Sequence, residues 1–376
     1  MIKQERLIQL TRQLIRIPSE NPPGNEYRIA CFVKKFFCGL GLKPKVYEFK
    51  KKRNNIVVIL RGKDKKHNLL ISPHLDTVPA GSSWKRALPF AGALRNGRIY
   101  GRGASDDKGN LAVSLEVIRS LVEEKHVLGY NLIFAATADE ETGSSLGLIP
   151  LLDKGILKPQ AALILDGDDF NIIVAQKGLL HLRVKIQGKS AHGAYPWQGV
   201  NAIDAALAAL SGIKSYKFVY KKNLYLRPPT INIGKIAGGD KVNVVADWCE
   251  FDVDLRFLPG MPASRIIQGV RKIIGSYAKK FSIEILANQL PSQIDPRHPL
   301  VKYLRGAIRN YGVSPKITGS EGATVITFFQ ERNIPAIATG FGSLGCAHSS
   351  NEYIKVSHLY KGARVLERFL KNFRFS

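Results

Sequence analysis

The apolar and polar positions of the chain fall into two kinds of period, and their order sets the expected architecture. Residues 3–16 and 26–41 carry apolar side chains three or four apart, the spacing of amphipathic helices. Between them, Ile17-Pro18-Ser19-Glu20-Asn21-Pro22-Pro23-Gly24-Asn25-Glu26 forms a rigid connection whose prolines end the first helix, with Asn25 or Gly24 capping the second. Strand-like runs follow at 44–49, 55–61 and 68–73, then a helix at 111–123, a strand at 131–136, a helix near 146–154 and a strand at 161–165. Strands alternating with helices predict an open α/β sheet, which keeps its ligands beyond the carboxyl ends of its strands. His74 follows the run at 68–73, Glu140 and Glu141 follow 131–136, and Asp166 follows 161–165.

Near residue 178 the pattern changes. Leu179 to Ile186 alternates as a strand, Ser190-Ala191-His192-Gly193 makes a turn, and an alanine-rich helix covers 202–210. Strands at 229–236 and 242–257, a helix at 262–279 and a strand at 281–287 complete a β-α-β-β-α-β order, that of a small inserted α/β sandwich. The α/β pattern then resumes with helices at 298–311 and 322–331, a strand at 334–339 and a closing helix at 356–372. The expected domains are therefore 1–177 with 289–376, and an insert at 178–288.

Composition narrows this picture only at its margins. The 376 residues suffice for two domains of ordinary size, and mean hydropathy near zero describes a soluble globular chain. No apolar run approaches the ~18–20 residues of a membrane span, and the N-terminus lacks the apolar core of a signal peptide. Cys31, Cys38, Cys249 and Cys346 form no C-x-x-C pair, which argues against thiolate zinc and a disulfide framework. The chain reads as cytoplasmic. Lys and Arg number 56 against 30 Asp and Glu, a net charge of +26, which would suit a nucleic-acid binder. The basic residues are scattered, however. The two local runs, Lys50-Lys51-Lys52-Arg53 and Lys63 to Lys66, flank a strand pattern and look like hairpin ends without interleaved aromatics. Nucleic acid is thus not an expected partner, and steering of anionic substrates is one simple account of the charge.

Candidate chemistry centres on Gly101-Arg102-Gly103-Ala104-Ser105-Asp106-Asp107-Lys108-Gly109-Asn110. Its glycines let the backbone turn sharply, and the adjacent carboxylates of Asp106 and Asp107 repel each other unless a cation lies beside them. The same carboxylates would repel phosphate, so a cation site or a solvated acidic turn is the choice left open. Taken singly, His74 is more often a hydrogen-bonded structural residue than a ligand, Asp139-Glu140-Glu141 reads as a solvated helix start, Asp166 to Asp169 as a turn cap and His348 as an exposed side chain. Together with the 101–110 loop they make five polar clusters at the strand ends of one α/β unit, and that joint placement argues for a site.

The ordered set resembles the M20 family of metallohydrolases, the group holding acetylornithine deacetylase, succinyl-diaminopimelate desuccinylase, glutamate carboxypeptidase and related dipeptidases. The resemblance spans essentially the whole chain. It runs from Pro18-Ser19-Glu20-Asn21-Pro22-Pro23-Gly24-Asn25-Glu26 through Ser72-Pro73-His74-Leu75-Asp76, the 101–109 loop, Asp139-Glu140-Glu141-Thr142-Gly143 and Ser190-Ala191-His192 to His348-Ser349-Ser350-Asn351-Glu352. It implies a zinc-peptidase-like α/β catalytic domain with an inserted ferredoxin-like lid and dimerisation domain. By the same resemblance His74, Asp106 and Asp166 hold one metal, and Asp106, Glu141 and His348 the other, with Asp106 bridging. Mixed imidazole and carboxylate ligands with an open position suit two catalytic Zn²⁺ ions best, Co²⁺ or Mn²⁺ being substitutes. A water held between two such ions loses its proton near neutral pH, and Glu140 is the implied general base. Asp76 would orient His74. A cis peptide is expected after Asp106.

His192 matches the insert's histidine that stabilises the oxyanion in the partner's active site, so the implied unit is a homodimer through 178–288. Asn243 and Arg256 match substrate contacts, Arg256 through the bidentate fit of its guanidinium to a carboxylate. The implied reaction is hydrolysis of the amide bond of N-acyl amino acids by a metal-bridging hydroxide, with hydrolysis of short peptides by a dipeptidase or carboxypeptidase as the alternative. Three positions depart from the deacylase branch. Asp166 stands where that branch usually carries Glu, Ala246 replaces a frequent proline, and Thr324 occupies an expected arginine position.

Overall fold

In the computed structural model, which describes residues 1–375, the chain divides into two compact units. The first comprises Met1–Val174, Ile294–Thr318 and the chain from Phe328 onward; the second comprises Ala175–Gln293 with Gly319–Thr327. The return of 319–327 to the second unit is invisible in the apolar periodicity.

The first unit is built on a mixed sheet. Its strand order runs Lys45–Glu48, Asn54–Leu60, Tyr130–Ala136, Asp64–Ser72, Ala161–Leu165 and Ala336–Thr339, with Ile172–Gln176 joining at Ile173. The four from Tyr130–Ala136 to Ala336–Thr339 are mutually parallel. Tyr130–Ala136 and Ala161–Leu165 are buried at every position and, Asn131 apart, read as continuous apolar runs, as central parallel strands should. Helix Lys108–Glu123 is buried over most of its length and packs against Gln4–Ile15 and Val356–Asn372. Those two present ordinary one-sided stripes, Leu7, Leu10, Leu14 and Ile15 on the first, Leu359, Ala363, Leu366 and Leu370 on the second. Because the four parallel strands are neighbours, the segments leaving their carboxyl ends collect along one rim.

The second unit is an antiparallel sheet in the order Thr230–Gly238, Trp248–Phe257, Gly178–Gln187, Phe281–Gln289, with helices Ala202–Lys214 and Ala263–Gly275. This is the ferredoxin-like arrangement of a β-α-β-β-α-β chain. Alternation along Trp248–Phe257 buries Cys249, Phe251, Val253, Leu255 and Phe257 and turns Glu250, Asp252, Asp254 and Arg256 outward.

Four readings of the chain change. The strand expected over 242–257 starts only at Trp248, because 242–246 is a turn and loop whose Val244 pairs with His192. The helix expected over 322–331 shrinks to Ile326–Gln330, preceded by an unforeseen strand Ile317–Ser320. Ala93–Arg95, Arg98–Tyr100 and Tyr353–Lys355 form a small sheet too short to give a period of its own. The basic run ending in Arg53 is not simply a solvated hairpin end, since Arg53 is buried in an ion pair with Glu26.

Candidate metal centre

Each cluster on the rim is held by local structure. His74 follows strand Asp64–Ser72, and its main-chain N–H donates to Asp107 Oδ2 at 2.9 Å. The 101–107 loop turns at Gly103, whose φ is +85° and whose added Cβ would lie 2.8 Å from Thr77 Cγ2, so only glycine fits. The Asp106–Asp107 peptide is cis. Asp139 adopts a left-handed conformation, φ +66°, just before the short turn Glu140–Thr142. Asp76 pins that turn, for its Oδ1 accepts from the Glu140 N–H and its Oδ2 from the Glu141 N–H, both at 3.1 Å.

Four of the five expected ligands converge. Asp106 offers one oxygen to each imidazole, with His74 Nε2 at 2.9 Å from Oδ1 and His348 Nε2 at 3.2 Å from Oδ2. His348 Nε2 is also 3.1 Å from Glu141 Oε2. Ligand atoms of Asp106, Glu141 and His348 lie within 4.8 Å of one another, as do those of His74, Asp106 and Asp107. Asp107 is already engaged, because its two oxygens accept from His74 N–H and from Asn110 Nδ2 at 2.7 Å. Asp166 belongs to neither trio; it follows strand Ala161–Leu165 close enough for the Asp106 charge to act on it.

Crowding sorts these groups. Burial would raise Asp106, but hydrogen bonds from His348 and His74 outweigh it and hold the carboxyl well below its ordinary range. Burial pushes Asp166 up to about 7, with the Asp106 charge adding to it, and Asp168 up to about 6. Glu140 is raised well above a usual carboxylate by desolvation and by the charge of Asp166. His348 is raised to about 10 by hydrogen bonding to Asp106 and Glu141, and His74 is raised despite its burial by Asp106 and Asp76. His74 Nδ1 lies 3.4 Å from Asp76 Oδ1 without a hydrogen bond, and Glu141 Oε1 is a second buried atom with none. An unsatisfied buried polar atom costs about 1–3 kcal/mol. Excess carboxylates, two imidazoles and orphaned donor atoms at one point fit divalent cations, which would replace the protons that the imidazoles share with the acids.

The remaining expected residues lie in the second unit. His192 is exposed, its Nδ1 accepting from Ala194 N–H at 3.0 Å. It sits beside Asn243, whose carbonyl accepts from Gly193 N–H at 2.8 Å; a Cβ at Gly193 would stand 2.9 Å from that carbonyl. Arg256 lies at the other end of the sheet, opposite Leu179, and gives Nε and NH2 to Asp254 at 2.8 and 3.2 Å.

Several supporting residues carry no isolated sequence signal. Arg53 donates to both Glu26 oxygens, at 2.7 and 2.9 Å, and to Asp139 Oδ1 at 2.8 Å, so a buried ion triad backs the turn bearing Glu140 and Glu141. Asn21 Nδ2 donates to Asp76 Oδ2 at 2.8 Å. Glu26 and Asn21 stand inside the 18–26 motif, which was the one available hint; nothing local distinguishes Arg53 from its lysine neighbours.

An α/β sheet with this acid and imidazole cluster beyond its parallel strands defines a metal-dependent hydrolase of the zinc-peptidase-like class. The comparisons agree and are more particular. The model of Peptidase family M20/M25/M40 matches residues 70–372, and the chain belongs to that family. It is 29% identical to an acetylornithine deacetylase of Edwardsiella ictaluri over an alignment 384 positions long, which covers 97% of each chain. Its fold matches aminopeptidase PepT of Bacillus cereus with a TM-score of 0.81 at 24% identity, over 98% of each chain. A tripeptidase of Staphylococcus aureus gives 0.80 at 25% identity, over 99% of this chain and 98% of the other. Among the described residues no helix is long and apolar enough to cross a membrane.

Proposed function

We propose that this enzyme hydrolyses the amide bond of N-acyl amino acids at a centre for two divalent metal ions. The observation that carries the reading is the split use of Asp106, which turns one oxygen toward His74 and the other toward His348 and Glu141. That is the geometry of a carboxylate shared by two ions. His74, Asp106 and Asp166 would hold one ion and Asp106, Glu141 and His348 the other, Zn²⁺ fitting the donor set best and Co²⁺ or Mn²⁺ serving as substitutes. When bound, such ions polarise the amide carbonyl and acidify water.

The chain's own groups do the rest. Glu140, with its raised pKa, takes the proton of the water that adds to the amide carbon and delivers it to the nitrogen as the C–N bond breaks, leaving a carboxylate and a free amine. Asp76 holds the Glu140–Glu141 main chain and faces His74, which keeps base and ligand in a fixed relation. Arg256 receives the substrate carboxylate on the edge of its guanidinium that Asp254 leaves open. His192 stabilises the oxyanion and Asn243 contacts the substrate.

Within one unit His192 and Asn243 lie at the Gln187–Trp248 end of the sheet and Arg256 at the Leu179 end. Arg256 lies eight positions along the strand from Trp248, about 26 Å. One small substrate cannot span that distance, which supports a homodimer in which residues 178–288 of each copy serve as lid and lend His192 to the other. A cytoplasmic location accords with the four unpaired cysteines, two of them exposed.

The deacetylase relative favours acyl amino acids, while Asp166 and the likeness to an aminopeptidase and a tripeptidase favour short peptides with a free amine. A panel of N-acetyl and N-succinyl amino acids beside dipeptides and tripeptides separates them. We expect chelator-sensitive release of free amino acid from the acylated set. Preference for substrates with a free amine would transfer the assignment to peptide hydrolysis, and turnover indifferent to chelator would remove the metal mechanism.

A further inference from the structure

Glu352 closes the 348–352 segment, yet nothing so far gives it a task. Its side chain is wholly buried. Both oxygens are filled from the loop that bears Asp106. Oε2 accepts from Arg102 NH1 at 2.6 Å and Gly103 N–H at 3.0 Å; Oε1 accepts from Ser105 N–H at 2.7 Å and Asp106 N–H at 3.1 Å. The Glu352 carbonyl accepts from Gly101 N–H at 2.9 Å. Arg102, itself buried, also reaches the His348 carbonyl with NH2 at 3.4 Å. A single carboxylate thus takes three main-chain amides and a guanidinium from the five residues 102–106, and the last amide belongs to Asp106.

Charge and shape both matter here. Four donors point at two oxygens, so every position must accept, and only a carboxylate does so. An amide in its place would turn an NH2 group against N–H donors, and the chain from 101 to 106 would have to move. Asp106 has to aim its oxygens in two directions at once, so a small rotation of its main chain breaks one of them. Glu352 lies four positions beyond His348, which ties the other side of the shared pair to the same anchor.

We propose that Glu352 is a positioning residue for the shared metal pair: its carboxylate fixes the 101–106 main chain so that Asp106 addresses His74 and His348 together, and metal affinity depends on it. This rests on the metal reading of Asp106, Glu141 and His348.

The test is titration of the chelator-stripped protein with Zn²⁺ alone, against a chromophoric competitor, in wild type, Glu352→Gln and Glu116→Gln. Glu116 is an equally buried carboxylate held by Arg6 Nε at 2.9 Å, but it sits nine residues beyond Asp107, about 14 Å along its helix. Both variants should melt below wild type. Only Glu352→Gln should lose affinity, by about 10–100-fold, while Glu116→Gln keeps wild-type binding. Wild-type affinity in Glu352→Gln, or an equal loss in Glu116→Gln, overturns the proposal. If Glu352→Gln does not fold, Glu352→Asp keeps the charge for Arg102 but falls a methylene short of the amides. It should bind Zn²⁺ more weakly than wild type, and unchanged binding overturns the proposal as well. Wild-type protein that takes up no Zn²⁺ overturns both this inference and the metal reading, whereas binding that is insensitive to Glu352 overturns this inference alone.

Discussion

Two groups of carboxylates in this molecule live in opposite circumstances. On the outer face of the second unit's sheet, strand register sets Glu250 opposite Lys185, Asp252 opposite Arg183 and Asp254 opposite His181. Arg183 grips Asp252 through two 2.9 Å bonds, and its hydrogen bonding holds that carboxyl below its ordinary range. Beyond the parallel strands of the first unit, Asp106, Glu140, Glu141, Asp166 and Asp168 gather around His74 and His348, and burial drives Glu140, Asp166 and Asp168 upward. The sheet face needs nothing further, because the pleat has matched each acid to a base. The rim is in deficit of positive charge on a chain of net charge +26. An excess of buried acid in so basic a protein is a receptor for cations, not an accident of composition.

The largest effect that would test this contrast lies at Glu140. Glu140→Gln should bind Zn²⁺ as wild type does while kcat falls by about 10²–10⁴-fold, the usual worth of a general base. Metal content by elemental analysis beside steady-state kinetics checks it, and retained turnover would remove Glu140 from the base role. The second unit is predicted to matter in a different way. His192→Ala and Arg256→Ala should each lose most activity with metal content intact. Mixing the two and allowing subunits to exchange should restore part of it, since one site of each mixed dimer then has both residues. No recovery after exchange would dispose of the shared-site dimer.

Smaller and opposite in sign are the effects on stability of the metal-free protein. Asp166 titrates at about 7 in the fold against an ordinary 3.8, so the native state keeps a proton that the unfolded chain has lost. Stability of the stripped protein should therefore fall as pH rises through that window, and Asp166→Asn should flatten the fall. Asp252 is shifted the other way. Its pair stabilises above the ordinary carboxylate pKa and is lost as pH drops through the lowered one, so Asp252→Asn should cost a little stability near neutrality, less at high salt. Thermal melts of both variants with chelator, from about pH 2 to 8, read the two signs together. If Asp166→Asn also destabilised near neutrality, the crowding argument would be lost.

Legibility along the chain follows the same division. Central strands such as 131–136 and 161–165 stand out because burial on both faces demands near-continuous apolar runs, Asn131 being the one polar position among them. The antiparallel strand at 248–257 stands out through its alternation, although the pattern predicts its start six residues early, at 242. Clustering of polar groups at the strand ends of one α/β unit points to a site, and the resemblance of the ordered motifs to the M20 family is what names His74, Asp106, Glu141 and His348 within it. Arg53 was hidden, since a lysine-rich turn gives no sign that its last member folds inward onto Glu26 and Asp139. Glu352 was visible as part of a motif, but its task was not, because its partners lie about 250 residues away.

By itself, then, the sequence determined the periods, the α/β class, the inserted β-α-β-β-α-β segment and the family to which the chain belongs. Those are local quantities: backbone sterics and one-sided burial act over a few residues and leave a repeat that can be read. Only the tertiary structure decided that Asp106 divides its oxygens between two imidazoles, that Asp107 is consumed by His74 N–H and Asn110, and that Glu352 anchors the loop between them. Hydrogen bonds of that kind join residues far apart in sequence at separations near 3 Å, and no local pattern encodes where two distant segments will meet.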